Sequence, residues 1–239
     1  MKNQYFGDTR DLFKYDLVTN LIKENPMLKS LTFIPMLTAD DSSQHGSKIN
    51  YSKATAGTKN KELVEFLTSC LIKNKREIGE LHRFFEDYDF NRSVSLIIYK
   101  QGDYLDKNNR EAYFADVTPS ILSDAVILVD PDTGMETKSV QTKSIKHVKY
   151  SEIATIYQKM NLNAVLLIFQ FIPRVNRESY FTKLISELKK RVTEQQPILF
   201  VSDHQIVFFL LTKTKQTNKI AGEIVKTYSV DYNLMYGTT

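Results

Sequence analysis

Residues 125–138, Ala-Val-Ile-Leu-Val-Asp-Pro-Asp-Thr-Gly-Met-Glu-Thr-Lys, constrain the fold more than any other stretch of the chain. Val126 to Val129 form a short apolar run that ends abruptly in Asp130-Pro131-Asp132, followed by Gly134, Glu136 and Lys138. An apolar run without alternation reads as a strand buried on both faces, the pattern of a parallel sheet. This strand delivers acidic groups into a loop at its carboxyl end, which is where open α/β sheets bind ligands.

The elements that follow have the same character. Helical spacing is predicted over 150–160, a second buried strand over 164–171, and a strongly amphipathic helix over 176–193 with Tyr180, Phe181, Leu184, Ile185 and Leu188 on one face. Residues 198–201 and 206–211 flank Ser202-Asp203-His204-Gln205 and read as a hairpin. A helix over 217–228 and an irregular tail close the chain. Buried strands alternating with amphipathic helices imply a mainly parallel sheet, and the hairpin adds an antiparallel strand to it.

Upstream, residues 8–24 predict a helix capped by Asp8 or Thr9, with Leu12, Phe13, Leu17, Val18, Leu21 and Ile22 on its apolar face. A first strand is expected at 30–38, with Pro35 awkward inside it. Residues 39–58 form a long polar loop with Asp40, Asp41, His45 and Gly46. Helical patterning follows over 60–87 with a break near Gly79, then a strand over 94–99 and a helix over 108–122. The length of 239 residues suits one α/β domain: a helical extension over 1–25, a sheet core over 30–213, and a closing helix and tail over 214–239.

Composition narrows the function classes. The lone Cys70 lies on the apolar side of a helix and reads as a structural thiol rather than a nucleophile. There is no cysteine cluster for zinc, no apolar run long enough to span a membrane and no signal peptide, so a cytoplasmic protein with no membrane partner is expected. The net charge of +4 permits a nucleic-acid partner without requiring one. Of the four histidines, His82 reads as structural, His204 as solvated in its turn, and His45 alone as a candidate base or ligand; no nucleophile–His–acid arrangement stands out.

Two resemblances follow from these residues. The strand–helix–strand–helix–hairpin order from 125 onward resembles the carboxyl half of Rossmann-like S-adenosylmethionine-dependent methyltransferases. In them the fourth strand ends in an Asp/Asn-Pro-Pro-aromatic motif. Here Asp130-Pro131 matches its start, while Asp132-Thr133 replaces the Pro-aromatic pair. The resemblance implies a three-layer, methyltransferase-like, mostly parallel sheet. Its amino half is degenerate, one strand short and without a glycine-rich turn after the first strand. The chain also resembles an uncharacterised bacterial family with an Asn-Gln-Tyr-Phe-Gly-Asp start and an Asp-Pro-Asp-Asn-Gly-Leu-Glu core. Residues 3–8, Asp11, Lys14-Tyr15, 130–136, Lys149-Tyr150 and 170–174 carry that likeness, with Thr133 and Met135 at the two differing core positions.

The first resemblance implies a methyltransferase-like protein that acts on nucleic acid with S-adenosylmethionine as cofactor. Thr38, Asp40, Asp41 and Gly46 would bind the cofactor. Asp130, Asp132, Glu136 and Lys138 would face the reacting groups. Arg174, Gln170, Lys14 and Tyr5 would bind substrate, and the basic segment Lys143, Lys146, His147, Lys149 would position phosphates. Tyr5, Phe6 and Lys14 could cover the site as a lid or simply pack the first helix. Two alternatives use the same residues. In one, Asp130, Asp132 and Glu136 hold Mg²⁺ for a phosphodiesterase, with Glu136-x-Lys138 as the nuclease-type unit and Asp116 or Asp130 as the upstream acid. In the other, the chain is a catalytically silent Rossmann-like binding module.

Overall fold

A computed structural model describes residues 1–41, 46–137 and 144–239. His45, Lys138 and Lys143 lie outside the described residues. Nine strands occur among the described residues: β1 (Ser30–Ile34), β2 (Ser95–Ile98), β3 (Ala125–Val129), β4 (Gly134–Met135), β5 (His147–Val148), β6 (Val165–Phe171), β7 (Leu199–Ser202), β8 (Ile206–Leu211) and β9 (Met235–Thr238). Seven of them form one sheet in the order β2-β1-β3-β6-β8-β7-β9, and β4 pairs with β5 beside it. The neighbours β2, β1, β3 and β6 run parallel. Strand β8 runs antiparallel to both β6 and β7, and β9 antiparallel to β7. This is a mixed α/β sheet, mostly parallel, compatible with a Rossmann-like fold.

The alternation of side chains along each strand explains the layers. Leu31, Phe33, Val126, Leu128, Val165, Leu167, Phe208 and Leu210 face one core, shared with α1 (Thr9–Glu24), α2 (Lys61–Ile72), α3 (Leu81–Asp87) and α7 (Lys215–Asp231). Ile127, Val129, Leu166, Ile168, Val207 and Phe209 face the other, shared with α4 (Arg110–Ala115), α5 (Tyr150–Lys159) and α6 (Arg177–Arg191). The central strands β3 and β8 are buried along their whole length because helices cover both faces.

Several boundaries differ from the sequence reading for local reasons. Strand β1 stops at Ile34, as Pro35 demands. The helix expected over 60–87 is two helices. The break runs from Lys73, past Asn74 at φ 53, to a single 3-10 turn over Ile78–Glu80 that includes Gly79, and α3 starts at Leu81. The helix expected over 108–122 ends at Ala115, and Pro119 starts a separate single turn. The tail is not irregular, since Met235–Thr238 forms the sheet edge. The first helix is an integral layer rather than an extension. Eleven of its residues are buried, Asp8 caps it by accepting from the Arg10 and Asp11 amides, and Phe13 packs against Phe208 and Tyr228. No helix among the described residues is long and apolar enough to cross a membrane.

Candidate ligand-binding site

Because β1 and β3 are neighbours, their carboxyl ends lie side by side, with that of β6 next in order. A cavity of about 270 Å³ opens at this rim. One wall comes from the start of the chain: Met1, Tyr5, Asp8, Arg10, Asp11 and Lys14. The other comes from Asp130 to Thr133 after β3, Lys146, and Phe169 and Phe171 of β6.

Its deepest feature is a charged cluster. Lys14 is 4% exposed, and its Nζ contacts Asp11 Oδ1 at 2.7 Å and Asp130 Oδ2 at 2.6 Å. The same ammonium lies 5.4 Å from the centre of the Phe169 ring. Burial by itself would lower the Lys14 pKa, but the two carboxylates and their hydrogen bonds hold it above the ordinary lysine value. Burial pushes the Asp130 pKa up against the opposing pull of Lys14 and the Met1 ammonium, and neighbouring Asp11 adds to the rise. Asp11 is raised in the same way, burial outweighing Lys14 and the Gly7 amide. Two buried acids sharing one lysine hold a proton more readily than either would in water.

Asp132 makes a second ion pair, with the Met1 ammonium at 2.5 Å, and accepts from Thr38 Oγ1 at 3.0 Å. Burial lowers the pKa of that ammonium, outweighing Asp132 and Asp130. The inner wall therefore carries four carboxylates, Asp8, Asp11, Asp130 and Asp132, against the two ammonium groups of Lys14 and Met1. The outer rim has the opposite sign. The Arg10 guanidinium lies over the Phe171 ring at 5.1 Å, and its Nε is buried with no hydrogen-bond partner among the described residues. Lys146 is exposed at the mouth. Arg10 and Lys48 meet at Gln205 Oε1, and Arg177 donates to the Asp203 carbonyl.

The residues singled out from sequence separate into those at this cavity and those away from it. Asp130, Asp132, Lys14 and Tyr5 line it. Glu136 does not: it accepts from the Tyr150 amide at 3.0 Å and pairs with Arg191 at 3.0 Å, fixing the start of α5. Gln170 is 2% exposed and occupied with structure, accepting from the Met135 amide and donating to Phe171 O and Tyr180 Oη. Arg174 is exposed and makes no ion pair with the aspartates. Asp116 pairs with Lys100. Thr38, Asp40, Asp41 and Gly46 do not line the cavity and all touch residues 1–5, with Thr38 also reaching Asp132. In the basic segment, His147 is half-buried against Ser144, and burial, then Arg110, lowers its pKa.

The three-carboxylate metal site expected from sequence does not assemble. Asp130 and Asp132 each hold an ammonium, Glu136 turns to Arg191, and no cluster of three or more metal-ligating side chains occurs among the described residues. Cys70 is buried, with Arg83 donating to its Sγ, and burial raises its pKa, as suits an inert thiol. Asp8, Asp11, Arg10 and the Met1 ammonium went unassigned as site residues. The signal for them was the spacing Asp8, Asp11, Lys14, which on a capped helix puts three polar groups on its first turns.

Comparison with protein-family models, with curated proteins and with solved structures found no match.

Proposed function

We propose that this protein is a methyltransferase-like Rossmann domain that uses S-adenosylmethionine and acts on nucleic acid at the carboxyl rim of its sheet. The observation that carries the reading is the charge layout of the β3–β6 cavity. Its inner wall is acidic and aromatic, and its mouth is basic. Four carboxylates line the cavity together with the Lys14 and Met1 ammonium groups, Arg10 and Lys146, and a sulfonium or amine would compete with those cations for the carboxylates. The rings of Phe169 and Phe171 offer faces to such a cation. The strand order adds support, with β1 beside β3, β3 beside β6 and an antiparallel strand between β6 and β7, as the resemblance implies.

The residues present fit the cofactor. Asp130 and Asp132 would hold its positively charged end, and Arg10, with its free Nε–H, its carboxylate. When bound, S-adenosylmethionine supplies an electrophilic methyl group. The chain's own groups would exclude water with Phe169, Phe171 and Tyr5, and set the local charge with the Asp11–Lys14–Asp130 cluster. Nucleic acid would meet Lys48, Lys146, Arg174 and Arg177, whose contacts with phosphate are electrostatic and salt-dependent.

Calorimetric titration of S-adenosylmethionine into wild type and Asp130→Asn, together with transfer of labelled methyl to DNA and RNA, tests this reading. Binding that weakens at least about tenfold in the variant, about 1.4 kcal/mol, with label in nucleic acid, is the expected result. Heat with neither chain and no transfer would overturn it and leave the silent binding module.

A further inference from the structure

The carboxyl half of α1 lines a second cleft, of about 450 Å³, which shares no lining residue with the cavity at the sheet rim. Its other walls are the start of α2, Tyr88 after α3 and the end of α7. Asp16 lines it and is 5% exposed. Tyr228 Oη donates to Asp16 Oδ2 at 2.8 Å, and Nδ2 of Asn60, the cap of α2, donates to Oδ1 at 3.0 Å. The Tyr232 hydroxyl adds a third neutral hydrogen bond. Burial raises the Asp16 pKa and outweighs all three, and no lysine or arginine is among the groups that shift it.

The charges at the mouth balance one another. Glu24, Glu62 and Asp231 stand with Lys23, Lys59 and Lys61, all six are exposed, and Lys59 pairs with Asp231 at 3.1 Å. The unbalanced charge is therefore the interior one. An ionised carboxylate has about four acceptor positions, so three hydrogen bonds leave Asp16 with capacity for a further donor, and a buried anion gains most from a charged one. The surrounding rings suit such a partner. Lys23 Nζ lies 5.5 Å from the centre of the Tyr88 ring and Lys59 Nζ 5.3 Å from that of Tyr232, so both rings already hold ammonium groups at their faces.

We propose that this cleft is a binding site for a primary alkylammonium group, which donates its N–H groups to Asp16 and lays its first methylenes against the rings of Tyr88 and Tyr232. The exposed Lys23 and Lys59 give up the rings and turn to water, at the small cost typical of surface charges. The N–H requirement separates this ligand from a quaternary ammonium, which the rings would take but Asp16 could not hydrogen-bond. The site is independent of the methyl-transfer reading.

Putrescine, a primary diamine, is titrated calorimetrically into the full chain at pH 8 and about 150 mM salt, with tetramethylammonium as the probe that has no N–H. The variants are Asp16→Asn, Tyr88→Leu and the mouth pair Glu24→Gln/Glu62→Gln, each checked for folding by circular dichroism. Putrescine should bind wild type at least about tenfold more tightly than tetramethylammonium does, and Asp16→Asn should lose at least about tenfold. Tyr88→Leu should lose about threefold, and the mouth pair less than Asp16→Asn. No binding of putrescine to wild type would overturn the inference. So would equal affinity for tetramethylammonium, undiminished affinity in Asp16→Asn, or a larger loss in the mouth pair, which would place the amine on the surface. Should Asp16→Asn not fold, Tyr88→Leu decides, and unchanged affinity there overturns the site.

Discussion

Replacing Lys14 by Met removes the cation shared by Asp11 and Asp130 while keeping most of the side-chain volume. Both carboxylate oxygens touch the same nitrogen, at 2.7 and 2.6 Å, so its loss leaves two buried like charges facing each other. At about 5 Å and an effective dielectric of about 20, that repulsion is about 3 kcal/mol. Breaking a buried pair by removing one partner costs about 3–5 kcal/mol by experience with other proteins. For a chain of this size each kcal/mol moves the midpoint by about 2–4 °C, so Lys14→Met should melt about 6–20 °C below wild type near pH 8. The pH dependence sharpens the test. A carboxyl whose folded pKa lies above 3.8, as for Asp11 and Asp130, contributes fully below that value, and its contribution is lost as pH rises through the raised one. Without Lys14 both values rise further, so the variant should recover as pH falls from 8 to 5. The Lys14 ammonium, its pKa held above 10.5, stabilises wild type throughout this range and is lost only in strong alkali. Thermal unfolding followed by circular dichroism across this range is the assay, with Lys14→Met/Asp130→Asn as the partial rescue. A drop of less than about 2 °C at pH 8, or an equal drop at pH 5, would refute the reasoning.

Gly57 has φ +84, and a Cβ there would sit 2.6 Å from Leu12 Cγ and 2.8 Å from Leu12 O. Gly57→Ala should therefore destabilise by at least about 1–3 kcal/mol in denaturant unfolding, and wild-type stability would contradict this. Asp124 accepts from Lys29, Asn161 and Asn163, and these hydrogen bonds hold its pKa down to about 2. A depressed carboxyl contributes above its unfolded value and loses that contribution as pH falls through the folded one. Because the Lys29 partner is largely exposed, Asp124→Asn should cost about 1 kcal/mol at pH 7, and the difference should close near pH 2. A difference unchanged by acid would rule out this role.

The parallel core was legible because its signals are local. Uninterrupted apolar runs at 126–129 and 164–171, amphipathic helices between them and turn residues at 202–205 state the strands without knowledge of their neighbours. Asp130 and Lys14, singled out from sequence, both line the cavity, but their mutual contact was not legible, since nothing local links positions 116 apart. Glu136 misled because a carboxylate beside an Asp-Pro loop looks like a ligand. Its partners, Arg191 and the Tyr150 amide, lie far off in sequence. The tail strand was missed because Met235-Tyr236-Gly237-Thr238 contains glycine and no alternation, and its pairing with β7 is a tertiary property. Gln170 read as a substrate contact, yet a buried amide at the end of a strand more often satisfies neighbouring backbone groups, as it does here.

The partners of the first helix impose an order on biosynthesis. Lys14 waits for Asp130, 116 residues later, and Asp16 for the Tyr228 hydroxyl, 212 residues later. At about 5–20 residues per second, a ribosome needs roughly 6–23 s between Lys14 and Asp130. Through that interval the helix carries an uncovered apolar face, and Lys14 has only Asp11 of its two carboxylate partners. The cavity thus cannot close until β3 and β6 have been made, and a nascent chain halted before β3 presents its amino-terminal helix to whatever chaperone or protease reaches it first.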